Sequence, residues 1–93
     1  MSNMKVLLVD DHSVVRMGFK MLIDSEQDMD VIAEAESGEA GIKSYKEHNP
    51  DITIMDITMP GIGGLEAIER ILAHDKNAKI IVLSAHEDSV HPK

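Results

Sequence analysis

Three short apolar runs, each closed by an acid or a hydroxyl, constrain this chain most. They are Lys5–Asp10 (KVLLVD), Asp51–Asp56 (DITIMD) and Lys79–Ser84 (KIIVLS). A strand with one wet face alternates apolar and polar residues; these runs do not alternate. Unbroken apolar strands are what a parallel sheet covered on both faces requires. A further run, Asp30–Ala35 (DVIAEA), reads as a shorter and more polar second strand.

Helical spacing fills the gaps. Val15, Phe19, Leu22 and Ile23 share a face within Val14–Asp24, with Ser13 as the expected N-cap. Ser37 is placed to cap a helix from Glu39 to Glu47, which Asn49-Pro50 stops. Residues 58–64 hold one proline and three glycines and read as loop. Leu65, Ile68, Ile71 and Leu72 then mark a third helix. Strand and helix in alternation predict a parallel α/β fold. Right-handed crossovers put helices on both faces, and the expected strand order is 2-1-3-4. Ligands of open α/β sheets bind beyond the strand C-termini where the order reverses, here between strands one and three.

The last residues, His86–Lys93 (HEDSVHPK), hold two good N-caps, Asp88 and Ser89, and Pro92 suits a first helical turn. A fourth helix is expected to start there. Strand four is then an uncovered apolar edge, which soluble proteins avoid. The expectation is an incomplete domain over residues 4–93, and a homodimer or swapped segment where it is stable alone.

Ninety-three residues allow one domain. Acids outnumber bases seventeen to nine, a net charge of −8. That argues against this segment binding DNA or anionic membrane, since phosphate backbones need clustered Lys and Arg. No apolar run nears the ~18 residues of a membrane helix. There is no cysteine, hence no disulfide, thiolate zinc site or cysteine nucleophile, which fits a cytoplasmic protein. Phe19 and Tyr45 are the only aromatics, so the core must be aliphatic. Met17, Met21 and Met55 read as core filler, and Met59 as loop packing against the end of strand three.

Asp10 and Asp11 close strand one, and Asp56 closes its expected neighbour, strand three. Three like charges at one sheet edge repel and call for a cation. An acidic pair at a strand end is by itself usually a turn or a cap; the combination on adjacent strands is far more specific. Hard oxygen ligands without Cys or His favour Mg²⁺, which also accepts phosphate oxygens. A carboxylate held in line beside it can attack phosphorus and form an acyl phosphate. Ser84, closing strand four, can hydrogen-bond a phosphate oxygen, and the Thr58 carbonyl is a candidate metal ligand. His12, beside the acids, could tune the pocket or take part in metal binding, but reads first as solvent-facing or helix-capping; His86 could lie near the site mouth, but reads first as an exposed loop residue. His48, His74 and His91 have no metal-cluster spacing.

These residues also carry a resemblance. Val6-Leu7-Leu8-Val9-Asp10-Asp11-His12, followed by Arg16 and Gly18, resembles the opening of response-regulator receivers of the NarL/FixJ subfamily. Glu34–Ala40 (EAESGEA) resembles that group's second-strand exit, and Pro50–Glu66 (PDITIMDITMPGIGGLE) its phosphoacceptor segment. Ile80–Ala85 (IIVLSA) is similar to its fourth strand. The resemblance implies a flavodoxin-like (CheY-like) fold lacking its fifth strand and last helices. It implies Asp56 as phosphoacceptor, Asp11 binding Mg²⁺ directly, Asp10 mainly through water, the Thr58 carbonyl as a further ligand, and Ser84 as the hydroxyl that reports phosphorylation. The implied donor is a sensor histidine kinase, and the implied output is a helix-turn-helix DNA-binding domain absent from this chain. The family's fifth-strand Lys has no counterpart here, because Lys93 comes too early.

Two other readings compete. An aspartate-nucleophile phosphohydrolase needs a second acid two residues after the nucleophile, where this chain has Thr58. A phosphate-independent interaction module leaves the set of Asp10, Asp11, Asp56 and Ser84 without a purpose. The expected role is therefore a switch and not an enzyme.

Overall fold

The computed structural model describes residues 3–83. Ser84, His86, His91 and the expected fourth-helix start lie outside the described residues. Four strands and three helices alternate: β1 (Met4–Val9), α1 (Ser13–Asp24), β2 (Met29–Ala35), α2 (Gly38–His48), β3 (Ile52–Asp56), α3 (Gly63–His74) and β4 (Ile80–Leu83). All pairings are parallel and the order is β2-β1-β3-β4, as the sequence predicts. The reversal lies between β1 and β3.

The unbroken apolar runs explain β1 and β3. Val6, Leu7, Leu8 and Val9 are all fully buried, and so is Met55. Successive side chains point to opposite faces, so both faces of these strands need cover. On one face Leu7, Val9 and Met55 pack with Tyr45 of α2 and Ala67 and Ile71 of α3. On the other, Val6, Leu8 and Ile54 pack with Ile23 and Phe19 of α1.

The helix boundaries follow local chemistry. The Ser37 hydroxyl accepts from the Ala40 amide at 3.1 Å, so the expected cap of α2 is present. Asn49 closes α2 in the left-handed conformation (φ 46°), and Pro50 follows. Two expectations shift. The N-cap of α1 is His12 rather than Ser13, because Asp10 turns the chain one residue earlier. The loop after β3 is shorter than expected: Gly63 and Gly64 belong to α3.

Two core assignments are corrected. Met17 and Met21 are exposed, together with Val14 and Leu22. α1 faces the sheet through Phe19 and Ile23, and Met17 and Met21 lie one turn apart on the opposite stripe. Met55 and Met59 are buried as expected. Strand β4 is not covered on both faces among the described residues, since Ile81 and Val82 are half exposed. No described helix is long and apolar enough to cross a membrane.

Candidate functional site

Three acids meet at the C-terminal edge of the sheet, beside the reversal. The β1–β2 ladder runs one residue past Val9, with the Asp10 amide donating to the Ala35 carbonyl at 3.0 Å. Asp10 Oδ1 then accepts from the His12 amide at 2.8 Å and turns the chain into α1. Arg16, one helical turn after His12, reaches back. Its guanidinium donates to the Asp10 carbonyl and, at 2.9 Å, to Glu34 Oε1 near the end of β2. The strand end carrying Asp10 and Asp11 is thereby tied to its neighbour.

Asp56 is the last residue of β3. Its Oδ1 accepts twice, from the Thr58 amide at 2.9 Å and the Thr58 hydroxyl at 2.7 Å. Its Oδ2 is buried and has no hydrogen-bond partner, and neither has Asp11 Oδ1. Asp10 and Asp56 are each only 2 % exposed. A buried carboxylate oxygen without a partner is costly unless something of opposite charge or a donor meets it. One oxygen from each of Asp10, Asp11 and Asp56, with one ring nitrogen of His12, lie within 4.8 Å of one another. At that outer limit two carboxylates repel by roughly 3 kcal/mol for an effective dielectric near 20. The site is built to receive positive charge.

The loop behind Asp56 leaves no slack. A Cβ on Gly64 would stand 2.3 Å from the Asp56 carbonyl oxygen and 2.6 Å from Ile57 Cα. Only glycine lets the α3 N-terminus press against the backbone of Asp56. Gly63 turns the chain into that helix at φ 78°.

The structure brings Asp10, Asp11 and Asp56 together. Thr58 meets the cluster through its amide and hydroxyl. His12 fits both of its readings, as an exposed cap and as a neighbour of the acids. Its side chain is 56 % exposed and it sits at the N-cap, and Nδ1 lies 3.2 Å from Asp10 Oδ1, 3.0 Å from Asp11 Oδ1 and 3.7 Å from Asp56 Oδ2. The hydrogen bond to Asp10, then the charge of Asp11, hold its pKa above the ordinary imidazole value. The donor set is therefore not oxygen alone. The signal was in the sequence, in the adjacency of Asp11 and His12. Arg16 and Glu34 were missed as site residues, because their pairing joins α1 to β2 across 18 positions of sequence.

The response regulator receiver domain family model matches residues 6–92. The transcriptional regulatory protein LiaR of Bacillus subtilis (strain 168) is 40 % identical over 90 residues, which cover 95 % of this chain and 43 % of that protein. The chain spans about two fifths of the length of the curated relatives it matches. A LuxR-family two-component response regulator from Aurantimonas sp. SI85-9A1 superposes with a TM-score of 0.87 at 40 % identity, over 92 % of this chain and 61 % of that one. The response regulator TrrA of Thermotoga maritima, solved in complex with Mg²⁺ and BeF, superposes with a TM-score of 0.84 at 37 % identity, over 94 % of this chain and 74 % of that one. The doubly wound sheet, the acidic cluster at its reversal and these matches agree: the chain belongs to the response regulator receiver domain family of two-component signalling.

Proposed function

We propose that Asp56 accepts a phosphoryl group from the phosphohistidine of a sensor kinase, with Mg²⁺ held beside it by Asp10, Asp11, Asp56 and the Thr58 carbonyl. The observation that carries this is Asp56 Oδ2, buried, unpartnered and within reach of two further carboxylates. The residues fit the ion: Asp10, Asp11 and Asp56 gather carboxylate oxygens at one point, Asp11 Oδ1 among them without a hydrogen-bond partner, and Mg²⁺ prefers such oxygens and keeps several waters. When bound, Mg²⁺ supplies the positive charge that lets a phosphate dianion approach.

The chain's own residues then divide the work. The two Thr58 donors occupy Oδ1 and fix the carboxylate plane, which leaves Oδ2 as the nucleophile. The Oδ2 lone pair forms the new O–P bond as the P–N bond breaks, and the bonding pair returns to the donor's imidazole nitrogen. Positioning and charge neutralisation carry most of such a transfer. Arg16 holds the β1 end that brings Asp10 and Asp11 to the site. Ser84 is the proposed hydroxyl that meets the new phosphate. In the whole protein, phosphorylation would set the activity of a DNA-binding output domain, by analogy with regulators such as LiaR. We read the cysteine-free, acidic domain as cytoplasmic.

The test is intact-protein mass after incubation with Mg²⁺ and acetyl phosphate. The expected result is a gain of one phosphoryl group, absent with a chelator and absent in Asp56→Asn. No gain in the wild type, or a gain that persists in Asp56→Asn, overturns the proposal.

A further inference from the structure

We propose that His12 makes this a mixed nitrogen–oxygen metal site that selects nitrogen-accepting transition ions such as Ni²⁺ over Mg²⁺. This rests on the metal site proposed above and adds a ligand to it. Donor atoms about 2.1 Å from one ion sit about 3.0 Å apart at right angles and about 3.4 Å apart at tetrahedral angles. His12 Nδ1 stands 3.0 Å from Asp11 Oδ1, 3.2 Å from Asp10 Oδ1 and 3.7 Å from Asp56 Oδ2. The Asp10 and Asp11 spacings lie close to such edges; an ion would take the place of the proton that Nδ1 shares with these carboxylates, and Asp56 Oδ2 would draw in from 3.7 Å. A second observation points the same way. Asp56 is 2 % exposed and its Oδ2, inside the cluster, has no partner.

The chemistry of the donors sets the preference. Carboxylates alone serve Mg²⁺ well, whereas an imidazole nitrogen adds little for that hard ion. First-row ions toward the end of the divalent series gain strongly from imidazole. The His12 ring lies mostly in solvent, so it can close on such an ion or turn away without disturbing the core. It also lies over Asp56 Oδ2, so an ion that retains the ring keeps that oxygen covered.

Calorimetric titration of the 93-residue protein with MgCl₂ and with NiCl₂ tests this, using wild type, His12→Ala and Asp11→Asn. The wild type is expected to bind Ni²⁺ more tightly than Mg²⁺. In His12→Ala the ratio of Ni²⁺ to Mg²⁺ affinity should fall by roughly tenfold or more, tenfold being the low end of what loss of even an outer-shell partner costs in metal affinity. The remaining histidines are retained in that variant, so they cancel from the comparison. An unchanged melting temperature for His12→Ala separates loss of a ligand from loss of fold. An unchanged affinity ratio overturns the inference while leaving the Mg²⁺ site intact. Failure of the wild type to bind either ion, or equal binding by Asp11→Asn, overturns the inference together with the metal site itself.

Discussion

Replacing Gly64 with alanine tests how the fold holds Asp56, the proposed phosphoacceptor. The new Cβ would meet the Asp56 carbonyl oxygen at 2.3 Å, Ile57 Cα at 2.6 Å and the Asp56 carbonyl carbon at 3.0 Å. Ordinary carbon contacts begin near ~3.5 Å, so the N-terminus of α3 must retreat by roughly 1 Å. All three atoms are backbone, and no side chain can turn aside to relieve them. Overpacking of this kind costs about 1–3 kcal/mol. Alanine's advantage over glycine in a helix, at most about 1 kcal/mol, offsets part of that. A net loss near 1 kcal/mol lowers the melting temperature of a domain this size by roughly 4–8 °C. Gly18, in the middle of α1, is the control. A Cβ there meets nothing within 4 Å, so Gly18→Ala should raise stability by up to about 1 kcal/mol. Thermal unfolding by circular dichroism reads both, and the acetyl phosphate assay should show slower labelling of Gly64→Ala. A Gly64→Ala protein that melts with the wild type and labels at its rate would refute the close approach.

Three other outcomes follow from single residues. Thr53 is fully buried on β3 and its hydroxyl has no partner, so Thr53→Val should stabilise by about 1 kcal/mol, read as a higher urea midpoint. Asn49 holds φ 46° at the end of α2, so Asn49→Ala should cost about 1 kcal/mol and Asn49→Gly little, measured the same way. The Tyr45 hydroxyl donates to Asp75 at 2.9 Å. That bond, then one from the Asn77 amide, hold the Asp75 carboxyl below its ordinary value, so its contribution is present above about pH 4 and lost as the pH falls through the lowered value. Burial, then Asp75, push the Tyr45 phenol up to about 12. Its contribution is full below about pH 10 and is lost as pH rises toward the folded value. Urea midpoints across pH should fall at both ends, and Tyr45→Phe should flatten both slopes.

Sheet order and helix count were legible because the signal is local and repeated. Lys5–Asp10 and Asp51–Asp56 are apolar without alternation, and only a two-faced parallel strand needs that. Ser37 and Asn49 mark the ends of α2 through their own side-chain chemistry. α1 was harder. Its apolar residues run almost all round, so periodicity could not separate Phe19 and Ile23, which touch the sheet, from Met17 and Met21, which do not. The acids of the site were legible from strand ends alone, since adjacent parallel strands bring their C-termini together. The direction of one ring, His12, was not, because it depends on how Asp10 turns the backbone after β1. The Gly64 approach was also hidden, since a glycine in a loop and a glycine pressed on a neighbouring backbone look alike in sequence.

The central claim is that Asp56 takes a phosphoryl group only with a metal held by its neighbours. Fluorine resonance of beryllofluoride added to the protein reads this directly, because the complex mimics a phosphorylated carboxylate without turning over. A bound resonance should appear in the wild type only when Mg²⁺ is present, and should vanish in Asp56→Asn and in Asp11→Asn. A bound resonance without Mg²⁺, or one that survives either substitution, would contradict the claim.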